Sequence, residues 1–194
     1  MKVAIVTSAG RRLGLGFDTV RQLGQKGYSV LLSSRRLEDA ELLAQQLSAE
    51  GLAVSALQLD ITDPGSVERA VSYVAAVHGR FDVLVNNAAI MAVTPVTDFR
   101  TDLDAVQDLL ATNFIGSWRL AQEFFPLLRE SGNARIVNVS SGAGAFWDPD
   151  FGLVNNPGLQ MGQFGDVPSG AYALTKLALN GLTIKLAQDF KSAN

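Results

Sequence analysis

The run Val3-Ala-Ile-Val-Thr-Ser-Ala-Gly-Arg-Arg-Leu-Gly-Leu-Gly16 decides the fold. Its first five residues, Val3 to Thr7, are apolar or β-branched without alternation, the pattern of a strand buried on both faces. Glycines at 10, 14 and 16 follow at once, and a helix is expected from about Leu13 to Lys26. A strand passing through a glycine-rich turn into a helix collects free backbone N–H groups and the positive end of a helix dipole at one point. That is a cradle for a phosphate or pyrophosphate, and the dinucleotide fingerprint requires this strand–turn–helix context.

Outward from this run, the same alternation continues. Ser29 to Ser33 reads as a second strand and is followed by a helix through Leu47, with Ala40, Leu43, Ala44 and Leu47 at i, i+3, i+4 and i+7. Ala53 to Leu59 gives a third strand, and Val67, Val71 and Val74 mark a helix opened by Pro64. Phe81 to Asn86 is a fourth strand, Leu103 to Ser131 is one broken helix or two abutting ones, and Arg135 to Ser140 is a fifth strand. A βαβα order of this kind predicts an α/β fold with a doubly wound parallel sheet, right-handed crossovers and ligands beyond the carboxyl ends of the strands. Without repeats or a linker, residues 1–194 are expected to form a single domain. The long irregular stretch Gly142 to Ser169 carries Phe146, Trp147, Phe151 and Phe164, which suits either a substrate lid or packing on the sheet rim.

Composition narrows the function. A net charge of −3, with no run of like charges, gives no cationic surface for nucleic acid. No apolar stretch reaches the roughly 18 residues of a membrane helix, so a cytoplasmic protein with a small-molecule partner is the expectation. Zero cysteines and one histidine remove thiolate and histidine metal sites, so no metal is expected. That histidine, His78, precedes Gly79 at a helix end, where a capping role is expected.

Charge also bears on the cofactor. An NAD site generally places an acid at the end of the second strand for the ribose 2′-hydroxyl, whereas Ser33-Ser-Arg-Arg36 has no acid until Glu38. Arg35, with Arg11 of the glycine loop, suits a 2′-phosphate by charge-assisted bonds, which points to NADP(H); the plainer alternative is that these arginines cap or are solvated. Further on, Tyr172 and Lys176 in Tyr-Ala-Leu-Thr-Lys leave one face of a helix. An isolated tyrosine titrates near pH ~10, and an ammonium beside it favours the phenolate, which makes a proton donor and acceptor. By itself the spacing equally suits a half-buried ring with a snorkelling lysine.

Taken together, these motifs resemble the short-chain dehydrogenases/reductases along essentially the whole chain. Thr7 and Gly14 match the family's Thr-Gly-x-x-x-Gly-x-Gly, Asp60-Ile61 resembles its adenine-contacting pair, and Asn86-Asn-Ala-Ala89 resembles its Asn-Asn-Ala-Gly. Asn113 matches the helix asparagine, Val137-Asn-Val-Ser-Ser141 the fifth-strand serine motif, and Tyr172/Lys176 the Tyr-x-x-x-Lys pair. The resemblance implies a Rossmann-type sheet of order 3-2-1-4-5. It also implies hydride exchange between a nicotinamide and a carbonyl or alcohol carbon, with Tyr172 as general acid/base and Lys176 assisting it and holding the nicotinamide ribose. Ser141 would bond the substrate oxygen, and Asn113 would hold a water that links Lys176 to solvent; plainer roles are a turn cap for Ser141 and backbone satisfaction for Asn113. Cofactor contacts are implied for Ser8, Gly10, Arg11, Arg12, Leu13, Gly14, Arg35, Asp60, Ile61, Asn87 and Ala88, besides Tyr172 and Lys176.

Three departures from the family pattern stand out. Ser8 and Arg12 occupy the first two glycine positions, although an offset using Gly10, Gly14 and Gly16 recovers the spacing, and Ala89 replaces a glycine. Ser141 and Tyr172 lie 31 residues apart, an insertion like that of the carbonyl-reductase-like branch, which leaves monomer or homo-oligomer open. The family's later strands, nicotinamide turn and substrate loop have no counterpart before Asn194, so truncation of an ordinary reductase is the expectation, with the fifth strand left as an apolar edge. The competing reading is a noncatalytic dinucleotide-binding or partner-binding module, or an inactive fragment.

Overall fold

The computed structural model describes residues 1–91, 102–146 and 170–192. Strands β1 (Val3–Val6), β2 (Ser29–Ser34), β3 (Val54–Gln58), β4 (Val83–Asn86) and β5 (Arg135–Asn138) form one parallel sheet. Their order, β3-β2-β1-β4-β5, is the one expected from the sequence. Trp147, Phe151 and Phe164 lie outside the described residues.

Burial on both faces explains the unbroken apolar strands. Ala4, Val6, Val30, Leu32, Val83 and Val85 pack in one cluster with Phe17 and Val20 of α1 (Leu15–Gln25) and with Ala40, Leu43, Ala44 and Leu47 of α2 (Leu37–Ala49). Their alternates Ile5, Leu31 and Leu84, fully buried as well, belong to the opposite face by the two-residue period of a strand. The connection from β3 to β4 crosses the sheet in the reverse sense. A right-handed crossover therefore puts α3 (Pro64–His78) on that second face, with Val67, Ala70 and Val74 buried. Each fully buried Val, Leu, Ile or Phe contributes roughly 1.5–3 kcal/mol, so both layers are needed.

Local signals set the helix ends. Pro64 opens α3, and the Asp63 carboxylate accepts from the Gly65 and Ser66 N–H groups at 3.0 and 3.1 Å. The helix closes on Gly79 at φ 63°, whose N–H bonds Val74 and Ala75 carbonyls. The cap is thus Gly79 itself, while His78 sets its ring edge-on to Tyr73 at 6.2 Å. The segment from Leu103 resolves into abutting pieces: α4 (Leu103–Leu110), a π-helical stretch Ala111–Gly116, α5 (Ser117–Glu123) and α6 (Phe125–Glu130), the last opened by Pro126. No described helix is long and apolar enough to cross a membrane.

The chain divides into two compact units. Met1–Ala88 with Arg119–Val139 contains the whole sheet, α1, α2, α3 and α6. Ala89–Trp118 with Ser140–Asn194 contains α4, the π-helical stretch, a 3-10 turn Gly142–Gly144 and α7 (Gly170–Ser192). In the first unit, β5 pairs only with β4 among the described residues, and Val137 on it is 48% exposed, in keeping with the apolar edge expected from the sequence.

One buried carboxylate ties the sheet's entry together. Asp82, 1% exposed, accepts from the Val3 N–H at 2.8 Å and from Arg80 Nε at 2.9 Å. Burial opposes its ionisation, but the Arg80 hydrogen bond, the Val3 N–H and the Arg80 charge outweigh this and hold its pKa below the usual value. A depressed folded-state pKa stabilises at pH above the unfolded value of about 3.9 and is lost as pH falls through the folded value. Asp82→Ala is therefore expected to lower unfolding free energy by about 1–3 kcal/mol at pH 7. It should also flatten the acid limb of stability in urea titrations from pH 7 to 3.

Candidate active site

In the first unit, the glycine loop is fastened to the end of β4 by one hydroxyl. Thr7 Oγ1, fully buried, accepts from the Asn87 and Ala88 N–H groups, both at 2.9 Å. Asn87 Nδ2 in turn donates to the Thr7 carbonyl at 2.8 Å. Close approach here demands glycine at 16, since a Cβ would stand 2.6 Å from Asn87 Nδ2 and 3.0 Å from Ala9 Cα. Gly10 is equally constrained, its Cβ position lying 2.7 Å from Ser34 Oγ. Ser8, at φ 53°, is the one non-glycine with left-handed backbone among the described residues, and it sits where the family carries glycine. That costs roughly 1–2 kcal/mol. Arg12 is absent from that conformation, so its position makes no demand for glycine.

The loop fits a phosphate-bearing cofactor. Gly14 begins α1 without any side-chain cap, whereas Asp63 and Asp102 cap α3 and α4, so the α1 amino terminus keeps donors for an anion. Arg11, Arg12 and Arg35 form no ion pair among the described residues, while the exposed Arg36 lies 3.8 Å from Asp39. Exposed Leu13 completes the loop. After β3, Asp60 Oδ1 accepts from Thr62 N–H at 2.9 Å and from its hydroxyl at 2.7 Å. Arg119 Nη1 donates to the carbonyls of Ile61 at 2.8 Å and Thr62 at 3.2 Å, which fixes the Asp60-Ile61 turn. Sequence reasoning misses Arg119, because an arginine on an amphipathic helix reads as solvated and only the fold brings it under this turn.

The second unit brings together the four residues proposed from the sequence for chemistry. Asn113 lies in the π-helical stretch, fully buried, an insertion of the kind that marks functional sites. Its Oδ1 accepts from the Ile90 N–H at 2.8 Å, and its Nδ2 donates to the Ile90 carbonyl at 2.9 Å and Thr175 Oγ1 at 3.1 Å. Thr175 Oγ1 donates to the Tyr172 carbonyl at 2.7 Å, so Asn113 reaches the helix of Tyr172 and Lys176 through a threonine that the motif does not include. Both amide hydrogens of Asn113 are thereby engaged. Ser141 Oγ accepts from the Ala143 N–H at 3.2 Å and caps the 3-10 turn, which leaves its own O–H to donate.

Tyr172 and Lys176 occupy successive turns of α7. Lys176 is 2% exposed, with Nζ 5.6 Å from the centroid of the half-buried Tyr172 ring, and burial lowers its pKa. This set offers a phenol, an adjacent buried amine and a serine O–H, the components of proton transfer to an oxygen.

The sequence model of the short chain dehydrogenases matches residues 2–152, and the chain belongs to the short-chain dehydrogenase/reductase family. It is 45% identical over 142 residues to a probable oxidoreductase of Streptomyces antibioticus, covering 72% of this chain and 45% of that protein. Carbonyl reductase (NADPH) 1 of Mus musculus is 38% identical over 141 residues, covering 72% and 48% respectively. Among solved structures, a gluconate 5-dehydrogenase from Burkholderia cenocepacia in complex with NADP and tartrate aligns with a TM-score of 0.78 at 26% identity, covering 97% of this chain and 65% of that one. The chain spans about half the length of these curated relatives.

The buried lysine has a measurable signature. Below its lowered folded-state pKa it is charged in both states and the desolvation cost is fully present; as pH rises toward the unfolded value of 10.5 the folded state sheds its proton first and stability rises. Lys176→Met is expected to raise the unfolding free energy at pH 7, with the gain shrinking toward pH 10.5. Guanidinium titrations at pH 7 and pH 10 check it.

Proposed function

We propose that the protein is an NADP(H)-dependent oxidoreductase interconverting a small carbonyl compound and its alcohol. The observation that carries this reading is the pairing of Tyr172 with a buried Lys176 on one face of α7, in a chain of this family. The nicotinamide cofactor, when bound, exchanges a hydride with the carbon that bears the substrate oxygen. In the reductive direction Tyr172 donates its phenolic proton to that oxygen, and in the oxidative direction it takes the proton back. The Lys176 ammonium favours the phenolate left behind and holds the nicotinamide ribose. Ser141 donates its O–H to the same oxygen and steadies the charge that grows there. With its amide committed to Ile90 and Thr175, Asn113 holds the relay water through its main-chain carbonyl.

On the cofactor side, the uncapped start of α1 and the N–H groups of the glycine loop take the pyrophosphate. Asp60, Ile61, Asn87 and Ala88 hold the adenosine end and its approach. Arg35 and Arg11 take the 2′-phosphate, a choice supported by the lack of an acid between the end of β2 and Glu38 and by the NADP in the Burkholderia structure.

Purified protein with NADPH and a panel of activated ketones and aldehydes tests the reaction. Tyr172→Phe is expected to lower kcat/KM by about a hundredfold or more while NADPH still binds. Undiminished turnover in that variant would exclude Tyr172 as the acid. Cofactor choice is read separately by calorimetry. Arg35→Ala should weaken NADPH about tenfold, the worth of one charge-assisted hydrogen bond, and leave NADH nearly unchanged, whereas equal losses overturn the 2′-phosphate assignment.

A further inference from the structure

The 3-10 turn that begins at Ser141 meets α7 with no side chain between them. A Cβ on Gly144 would stand 2.7 Å from the Lys176 carbonyl carbon, 2.8 Å from Lys176 Cβ and 2.9 Å from Leu177 N. None of these atoms can turn aside, so Gly144 sets the closest approach of turn and helix. The Gly144 carbonyl also accepts from Asn180 Nδ2 at 3.0 Å, and Ser140 Oγ lies 3.5 Å from the Lys176 carbonyl. The first contact stops the turn from moving inward, and the Asn180 bond stops it from moving outward.

Tyr172, Lys176 and Asn180 stand at i, i+4 and i+8 of α7, one stripe of the helix. Asparagine is a poor interior helix residue, about 0.5 kcal/mol worse than leucine, and this half-buried one spends its amide on a carbonyl 36 positions away. Such a residue earns its place through what it holds.

We propose that Asn180 is a positioning residue for proton transfer. Its amide fixes the serine turn against α7 so that the Ser141 and Tyr172 hydroxyls address one substrate oxygen. This rests on the reductase reading above. Displacements of about 1 Å in such a constellation cost on the order of a hundredfold in rate.

Asn180→Leu keeps the volume, favours the helix and removes the donor. With a ketone substrate, kcat is expected to fall about tenfold or more, with KM for NADPH within about twofold of wild type. In a Ser141→Ala background the same change should cost less than about twofold, because Asn180 acts through Ser141. Equal losses in both backgrounds indicate a merely structural role and overturn the proposal. Unchanged kcat in Asn180→Leu overturns it too, with the reductase reading intact. Absence of carbonyl reduction by wild type overturns both. A measurement independent of turnover is amide exchange at Gly144 and Ala145, whose N–H groups close the turn on Ser141 and Gly142 carbonyls at 3.0 Å each. Exchange there should accelerate in Asn180→Leu while interior α7 amides stay protected; unaltered exchange shows that Asn180 tethers nothing and sinks the idea.

Discussion

Strand β1 is the member on which the first unit depends. Its four residues are buried, and it is the only strand paired on one side to β2 and on the other to β4. Because the chain first builds to one side of it and then jumps to the other, the connections from neighbouring strands part company at its carboxyl end. The glycine loop leaves from that point. Thr7, directly after the strand, converts a topological consequence into a fixed one: its single oxygen receives two N–H groups from the residues after β4. Without a hydroxyl there, the half-buried Ala88 N–H would lose its partner at about 1–3 kcal/mol, and the Asn87 N–H would keep only the Val85 carbonyl at 3.0 Å.

Much of this was legible from the residues. The strands were plain because parallel, doubly covered strands need continuous apolar runs, and α3 announced itself through Pro64 and Gly79. The beginning of α1 was misplaced by two residues, since a turn closed by the Gly14 N–H on the Arg11 carbonyl at 3.0 Å precedes it. A π-helical stretch leaves no mark in a periodic pattern, so the segment after Leu103 showed only that it was interrupted. Among the candidate site residues, Tyr172 and Lys176 were visible through spacing, and the serine and asparagine only through resemblance to a family. Thr175, Arg119, Gly144 and Asn180 were not visible, because each acts on main-chain or hydroxyl groups that only folding brings near.

The departures from ordinary packing gather at the same places. A serine holds a left-handed backbone, a lysine is buried, and an asparagine sits in a widened helical turn. Elsewhere the described chain follows local rules more closely, with side-chain caps on α3 and α4 and an apolar core. Local rules are broken where chemistry is proposed, which is where backbone strain is stored when it serves a site.

The uncapped start of α1 has a consequence for how the protein behaves in a cell. A helix end that lacks an acceptor of its own is held less firmly than one capped by a side chain, as α3 and α4 are, and an anion that settles there completes it. Stability then becomes a property of the surroundings as well as of the chain, growing with the logarithm of ligand concentration over its dissociation constant. On the proposed reading, with a dinucleotide as that anion, resistance to unfolding and proteolysis rises with the logarithm of the free nucleotide concentration.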